Sequence, residues 1–217
     1  MQRLIIKGQN TLSGSIKVSG SKNASLPILA ATILSEDALI KNIPLVKDIF
    51  TMVELLNFIG LRCEFSKNKK SVKVLNKNNR INTVAPYKLV KTMRAGILVL
   101  GPLLAKYKKA KISLPGGCAI GTRPVDLHLM VLKKLGAKIK INNGYIYATA
   151  NEGLKGNKFK FPKISVGATE NAILAACFAK GTTILSNCAI EPEIIDLINF
   201  LKKAGNKISI KNRVIKY

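Results

Sequence analysis

The sequence of 217 residues is poor in several residue types, and each shortage excludes a class of protein. It has no tryptophan and a single histidine, His128, which excludes sites built from several histidines and disfavours a Ser-His-Asp triad. Its four cysteines lack CxxC spacing, so we expect no zinc site. No apolar run reaches the ~18 residues of a membrane span, and the N-terminal apolar run is too short for a signal peptide. We therefore expect a soluble cytoplasmic protein without a metal, a cofactor or a membrane partner.

Acidic residues are also scarce, because 11 Asp and Glu stand against 36 Lys and Arg and give a formal net charge of +25. Such an excess suggests a nucleic-acid partner. Nucleic-acid surfaces, however, favour arginine interleaved with aromatic residues, whereas here lysine dominates and aromatic residues make up only 6%. We interpret the excess of Lys, Asn and Ile as a codon-composition bias and expect no specific nucleic-acid partner. A polyanion-binding module is retained as a minor alternative.

A pattern of two helix types repeats three times along the chain. An amphipathic helix begins near a proline and is stopped by Gly60, Gly136 or Gly205, each suited to the left-handed position that ends a helix before a strand. Before each of them stands a helix that is apolar on nearly every face (23–34, 90–105 and 171–179), which is typical of a protein interior. We predict an α/β fold of three strand-helix-strand-helix-strand-strand repeats, with the apolar helices inside and the sheets outside.

Several basic residues and one cysteine stand where these elements begin. Cys118 lies in a glycine-rich loop close to Arg123, and a thiol near an arginine and a helix N-terminus can have a lowered pKa. Lys22 opens the first apolar helix and Lys163 precedes the third, where free backbone amides favour phosphate. Arg94 lies within the middle apolar helix, where an unpaired charge is costly, so we expect it to face a partner or an anionic ligand. Four basic groups around one cysteine suit a substrate with phosphates and a carboxylate.

Four stretches carry a resemblance to a known family. They are Ser-Gly-Ser-Lys-Asn-Ala-Ser-Leu-Pro-Ile-Leu (19–29), Ala-Pro-Tyr-Lys-Leu-Val-Lys-Thr-Met-Arg-Ala (85–95), Pro-Gly-Gly-Cys through Asp-Leu-His-Leu (115–129) and Ile-Ser-Val-Gly-Ala-Thr (164–169). With these the chain resembles the N-terminal half of the bacterial UDP-N-acetylglucosamine enolpyruvyl transferases, over essentially its whole length. The cysteine loop is the most specific of the four.

The resemblance implies transfer of the enolpyruvyl group of phosphoenolpyruvate to the 3′-hydroxyl of UDP-N-acetylglucosamine, with release of phosphate, in the first committed step of peptidoglycan synthesis. It implies an inside-out α/β barrel domain of three repeats, one of two that close over the substrates. Cys118 would protonate the enolpyruvyl methylene, while Lys22 and Arg123, with Asn23 alongside, would hold phosphoenolpyruvate. The contacts to UDP-N-acetylglucosamine would be Arg94, Arg123, Pro124, Val125, Asp126, Leu127, Lys163, Ile164, Ser165 and Val166. For His128 a packing role and a functional role are equally open.

The chain departs from the family in length, since family members are about twice as long. The absent half carries an aspartate proposed to deprotonate the sugar hydroxyl, and the first 20 residues of family members belong to that second domain. We therefore assign 1–20 as a strand segment of a missing second domain and 21–217 as the first domain, and we expect the chain alone to bind poorly and not to turn over. The alternatives are a non-catalytic remnant, half of a split protein, or the related shikimate-pathway enolpyruvyl transferase, against which the cysteine loop argues.

Overall fold

Three small sheets surround a set of buried helices, as the repeat pattern predicts. The computed structural model describes residues 3–9, 11–77, 81–115 and 124–217. Within these ranges the helices are α1 (Lys22–Ala31), α2 (Lys47–Ile59), α3 (Tyr87–Val90), a 3₁₀ segment (Arg94–Val99), α4 (Leu100–Tyr107), α5 (Asp126–Lys134), α6 (Val166–Ala176) and α7 (Pro192–Lys203). The strands are β1 (Asp37–Lys41), β2 (Arg62–Phe65), β3 (Ser71–Leu75), β4 (Val84–Ala85), β5 (Lys109–Ser113), β6 (Lys138–Asn142), β7 (Tyr145–Thr149), β8 (Lys158–Lys160), β9 (Ile184–Ser186), β10 (Ser209–Lys211) and β11 (Val214–Lys216).

The second and third repeats have the same sheet topology. Their strand orders are β4-β5-β7-β6 and β8-β9-β11-β10, and in each the first two strands are parallel while the other pairs are antiparallel. The first repeat forms β1-β3-β2, which matches the last three strands of that order. Among the described residues, this sheet has no strand that corresponds to β4 of the second repeat or β8 of the third. The predicted three-repeat α/β architecture is thus confirmed, with one strand fewer in the first repeat.

The two helix types occupy the layers that their patterns predict. In α6 every residue from Ala168 to Ala176 is buried, and in α1 the run from Ser25 to Ala31 is buried as well. In α7 only the stripe Ile194, Leu197, Ile198 and Leu201 is buried, so this helix covers the core with one face. Full burial of each such leucine or isoleucine contributes about 1.5–3 kcal/mol, and the apolar helices therefore hold the three sheets around a common centre.

The glycines that were expected to stop the amphipathic helices do so. Gly60 has φ of 114°, Gly136 has 97° and Gly205 has 94°, all in the left-handed region that side chains disfavour. After each of them the chain turns directly into a strand, β2, β6 or β10. The three glycines therefore mark the ends of the amphipathic helices correctly, one in each repeat.

One expected helix is broken. In place of a continuous helix over 90–105, the chain has α3, an extended residue Met93 with φ of −136°, the 3₁₀ segment and then α4. Arg94 is thus the exposed first residue of a new helical segment rather than a charge inside an apolar helix. Two close contacts accompany this arrangement, since Gly96 packs against Val90 across the break and Gly101 lies so close to Asn171 that any side chain there would clash.

The N-terminal residues do not form the expected strand. Residues 3–9 and 11–19 have no regular secondary structure, and their apolar side chains, such as Leu12 and Ile16 at 91% exposure each, face solvent. A strand needs the backbone hydrogen bonds of a neighbour, and no described sheet edge provides them. Their assignment to a second domain remains a prediction.

Candidate active site

The starts of six helical segments converge on one cleft of about 690 Å³. Residues in the first turns of α1, α2, the 3₁₀ segment, α5, α6 and α7 all line it. Helix N-termini carry unsatisfied backbone N–H groups and the positive end of the helix dipole. The repeat architecture therefore brings the N-termini of several helical segments, with their partial positive charge, to one cleft, and such an arrangement suits an anionic ligand.

The loop before α1 is held by a close backbone approach. A side chain at Gly20 would collide with the backbone carbonyl of Asn42, so only glycine fits there. The Ser21 hydroxyl then caps α1 by accepting a hydrogen bond from the Ala24 N–H at 3.3 Å. This arrangement fixes where Lys22 leaves the helix start.

Lys22 is paired but remains accessible. Its Nζ lies 3.1 Å from Asp48 Oδ2 at the start of α2, and the two side chains are 46% and 33% exposed. An ion pair this exposed contributes at most about 1 kcal/mol. The Lys22 ammonium is therefore free to exchange Asp48 for a phosphate or carboxylate group of a ligand.

The start of α6 is a second anion-binding element. The Ser165 hydroxyl caps the helix by accepting a hydrogen bond from the Ala168 N–H at 3.3 Å, and the exposed Lys163 and Ile164 precede it. The N–H groups of Val166 and Gly167 make no hydrogen bond within the described ranges. They face the cleft, where a phosphate oxygen can accept from them.

His128 on α5 is buried against this helix start. A side chain at Gly167 would lie 3.3 Å from the His128 Cε1 atom, so glycine permits the close packing. Asn171 accepts a hydrogen bond from the Gly101 N–H at 2.6 Å and directs its amide group toward the Ile97 carbonyl at 3.0 Å and His128 Nδ1 at 3.1 Å. Because the Gly101 N–H can only donate, Asn171 Oδ1 accepts it, and the Asn171 NH₂ must then donate to His128 Nδ1.

The histidine is consequently neutral, with its proton on Nε2. Burial, with a smaller contribution from the nearby Arg94 charge, lowers its pKa to about 4, although Asp126 opposes the shift. A neutral imidazole beside the cleft can donate one hydrogen bond through Nε2 without adding charge. This geometry is compatible with both roles left open for His128, packing and ligand contact.

Two carboxyl groups on α6 and α7 meet the same cleft. Glu170 is 5% exposed, and its burial, reinforced by Glu193, raises its pKa to about 8. Glu193 lies in the first turn of α7. Glu170 is therefore largely protonated at pH 7, which is unusual for a carboxyl group that reaches a ligand cleft.

Most of the site residues expected from the sequence lie together in this cleft. Those that line it are Lys22, Asn23, Arg94, Pro124, Asp126, Leu127, Lys163, Ile164, Ser165 and Val166. Val125 lies next to the cleft as the residue that begins α5. Cys118 and Arg123 fall outside the described residues.

The sequence analysis missed three acidic residues of the cleft, Asp48, Glu170 and Glu193. Asp48 and Glu193 stand in the first helical turn, four and one residues after a proline, so the helix starts could have indicated them. Glu170 carries no such mark, because it stands between Thr169 and Asn171, just before the apolar helix expected over 171–179.

Three further properties of the described residues concern metal ligands, membrane spans and thiols. None of their His, Cys, Asp and Glu side chains form a group that could hold a metal ion, and no helix among them is long and apolar enough to cross a membrane. Burial raises the pKa of Cys63, Cys177 and Cys188 to about 12. These three thiols are therefore poor nucleophiles, and they pack in or against the core as expected.

Comparison with known proteins gives a consistent result. The profile of the EPSP synthase (3-phosphoshikimate 1-carboxyvinyltransferase) family matches residues 6–216. A curated relative from Pelagibacter ubique, named UDP-N-acetylglucosamine 1-carboxyvinyltransferase, is 61% identical over 96% of this chain and 49% of its own length. A relative of the same name from Rickettsia akari is 53% identical over 96% of this chain and 50% of its own length. The chain thus spans about half the length of the curated relatives it matches.

Solved structures agree on the fold. The enolpyruvyl transferase NikO from Streptomyces tendae superposes with a TM-score of 0.79 at 20% identity, covering 96% of this chain and 49% of that one. An EPSP synthase from Acinetobacter baumannii gives a TM-score of 0.74 at 18% identity, covering 94% of this chain and 46% of that one. At these identities the likeness concerns the architecture alone.

Proposed function

The chain belongs to the EPSP synthase (3-phosphoshikimate 1-carboxyvinyltransferase) family, and we propose that its reaction is enolpyruvyl transfer from phosphoenolpyruvate to the 3′-hydroxyl of UDP-N-acetylglucosamine. The observation that carries the proposal is the cleft itself, where six helix starts and the side chains of Lys22, Arg94 and Lys163 face one space. The 61% identity to a relative named for this sugar nucleotide favours it over 3-phosphoshikimate as acceptor. The proposed setting is cytoplasmic peptidoglycan synthesis, and through it cell shape and division.

The proposed chemistry begins with a proton from the Cys118 thiol. Its transfer to the methylene carbon of phosphoenolpyruvate leaves positive charge on the adjacent carbon, which the 3′-hydroxyl oxygen attacks. Phosphate then leaves, and loss of a proton from the new methyl group restores the double bond. Lys22 and Arg123 neutralise the phosphate and carboxylate of phosphoenolpyruvate, with Asn23 beside them.

In the proposed arrangement the start of α6 and the start of α5 hold the sugar nucleotide. Ser165 and Val166 offer their capped helix start to the diphosphate, and Lys163 and Arg94 add positive charge. Pro124, Asp126 and Leu127 line the same cleft at the start of α5, and Val125 is the residue that caps this helix. We further propose that a second domain closes this cleft and provides the base for the 3′-hydroxyl.

The test measures two quantities on the same preparation. Calorimetric titration with UDP-N-acetylglucosamine and with 3-phosphoshikimate compares the acceptors, and phosphate release from phosphoenolpyruvate plus each acceptor measures turnover. We expect weak binding of the sugar nucleotide, weaker or no binding of 3-phosphoshikimate, and no phosphate release by the chain alone. The Cys118→Ala variant, with Cys63→Ala as the matched control for loss of a thiol, decides whether any release depends on the proposed acid.

Each result has a separate meaning. Preference for 3-phosphoshikimate would contradict the proposed acceptor. Phosphate release that depends on Cys118 would support the proposed reaction but contradict the need for a second domain.

A further inference from the structure

Glu170 combines features that ordinary core or surface residues do not share. It lies in the second turn of α6 at 5% exposure, and it lines the cleft. Its side chain makes no hydrogen bond or ion pair among the described residues, and its carboxyl oxygens are not among the fully enclosed unpaired atoms, so they reach the open space of the cleft. The side chains on either side of it do have buried partners. Thr169 accepts a hydrogen bond from the Ala189 N–H, and Asn171 is bonded to Gly101 and Ile97. An unpartnered buried carboxyl group that faces a ligand space is a candidate for contact with that ligand.

The charged groups around the cleft do not stabilise a carboxylate at this position. The α7 residue Glu193 repels it. The α1 residue Lys22 is paired with Asp48 of α2. On α5, Asp126 adds a further negative charge, and His128 is neutral above about pH 5. Arg94 and Lys163 form no ion pair within the described part of the chain. Burial and the Glu193 charge together raise the Glu170 pKa to about 8.

We propose that Glu170 is a specificity-determining residue, which keeps its proton at neutral pH and donates it in a hydrogen bond to an uncharged oxygen of the sugar nucleotide. The inference rests on the proposed function. The sugar nucleotide is favoured over phosphoenolpyruvate because Glu170 shares α6 with Ser165 and Val166, which we assign to that ligand. A protonated carboxyl group can donate a hydrogen bond to a hydroxyl or amide carbonyl oxygen of the ligand. An ionised carboxylate at this position would instead repel the diphosphate.

The proposal predicts a particular dependence of affinity on pH. With a pKa of about 8, the protonated fraction falls about tenfold between pH 7 and pH 9, and affinity falls with it. Removal of the Glu193 charge should lower the Glu170 pKa and shift the fall toward lower pH. A residue with a purely structural role would give neither effect.

The experiment is calorimetric titration of the full chain with UDP-N-acetylglucosamine from pH 6 to pH 9. For the unchanged protein we expect a loss of about tenfold in affinity between pH 7 and pH 9. For Glu170→Gln, which keeps a donor but cannot ionise, we expect the pH 7 affinity within about twofold and this loss absent. Glu193→Gln should retain the loss with a lower midpoint. Glu152→Gln, at an exposed position outside the cleft, serves as the control and should behave as the unchanged protein.

The outcomes separate the inference from the proposed function. Binding by the unchanged protein that does not vary with pH, or the same pH dependence in Glu170→Gln, would overturn the role of Glu170 and leave the proposed function intact. Absence of binding by every variant at every pH would overturn both. A tenfold fall that Glu170→Gln abolishes and Glu193→Gln displaces supports the inference.

Discussion

Replacing Glu170 by glutamine should stabilise the protein, and by an amount that grows with pH. In the folded chain the pKa of this carboxyl rises from 4.5 to about 8, because it is buried and lies near Glu193. The folded state therefore holds the proton more tightly than the unfolded chain does. As pH rises from about 4.5 to about 8, the unfolded chain ionises first, and the stability of the unchanged protein falls.

The size of the effect follows from the same two values. Each tenfold difference in proton affinity is worth about 1.4 kcal/mol. The ionisation of Glu170 therefore lowers the free energy of unfolding of the unchanged protein by roughly 3 kcal/mol at pH 7, and this loss of stability levels off above pH 8. Glutamine has nearly the shape of the protonated acid and does not ionise. The free energy of unfolding of Glu170→Gln should thus equal that of the unchanged protein near pH 4.5 and exceed it by about 2–3 kcal/mol at pH 7.

The assay is urea-induced unfolding followed by circular dichroism at about pH 5, 6, 7 and 8, with both proteins measured in the same buffers. Taking the difference between the two cancels the contributions of titrating groups that do not interact with Glu170. Glu152→Gln provides the control, because that side chain is exposed and its replacement should give a small difference that does not change with pH. A constant difference for Glu170→Gln, or a less stable variant at pH 7, would refute the reasoning.

Three further predictions concern the groups around the cleft. Asn171→Ala removes the side-chain hydrogen bonds to the buried Gly101 N–H and to the Ile97 carbonyl, and it should lower the free energy of unfolding by about 2–4 kcal/mol, as measured with urea. His128 should show a neutral ring with its proton on Nε2 in ¹⁵N NMR spectra between about pH 5 and pH 8, and protonation near pH 6.5 would contradict the hydrogen-bond assignment. Iodoacetamide at pH 7.5 should modify Cys118 well before the other three cysteines, whose pKa is raised to about 12 by burial, and peptide mass mapping would show it.

Much of the fold could be predicted because its rules are local. A helix that packs with one face shows the 3.6-residue period in its own sequence, as α7 does with Ile194, Leu197 and Leu201. A left-handed residue between helix and strand selects glycine, so Gly60, Gly136 and Gly205 mark the end of the amphipathic helix in each repeat. Three occurrences of the same local rules made the three-repeat architecture visible without any knowledge of contacts.

The break between α3 and α4 could not be predicted in this way. The residues of 90–105 are mostly apolar, with Lys91, Thr92 and Arg94 as the polar exceptions, and this pattern favours one continuous helix. The chain instead is extended at Met93, and beyond it Gly101 donates a backbone hydrogen bond to Asn171, a residue far away in sequence. Arg94 therefore stands at a helix start, where its charge meets solvent and the cleft.

Glu170 was missed for a related reason. Sequence patterns rank α6 as a core helix, and a single acid within it has no local explanation. Only the convergence of α6 and α7 from the third repeat with the helices of the other two shows that this position faces a cleft. Residues whose role depends on contacts between several repeats cannot be identified from local sequence patterns.

The charged side chains that line the cleft can be compared with the helix N-termini as sources of attraction for an anion. Among the described lining residues, Lys22, Arg94 and Lys163 face the carboxyl groups of Asp48, Asp126, Glu170 and Glu193. With all four ionised, these side chains would carry a net negative charge and oppose a diphosphate. Protonation of Glu170 brings the count to balance. For the proposed function, the proton on Glu170 thus removes the net negative charge that these side chains would present to a diphosphate, and the converging helix N-termini then supply the attraction.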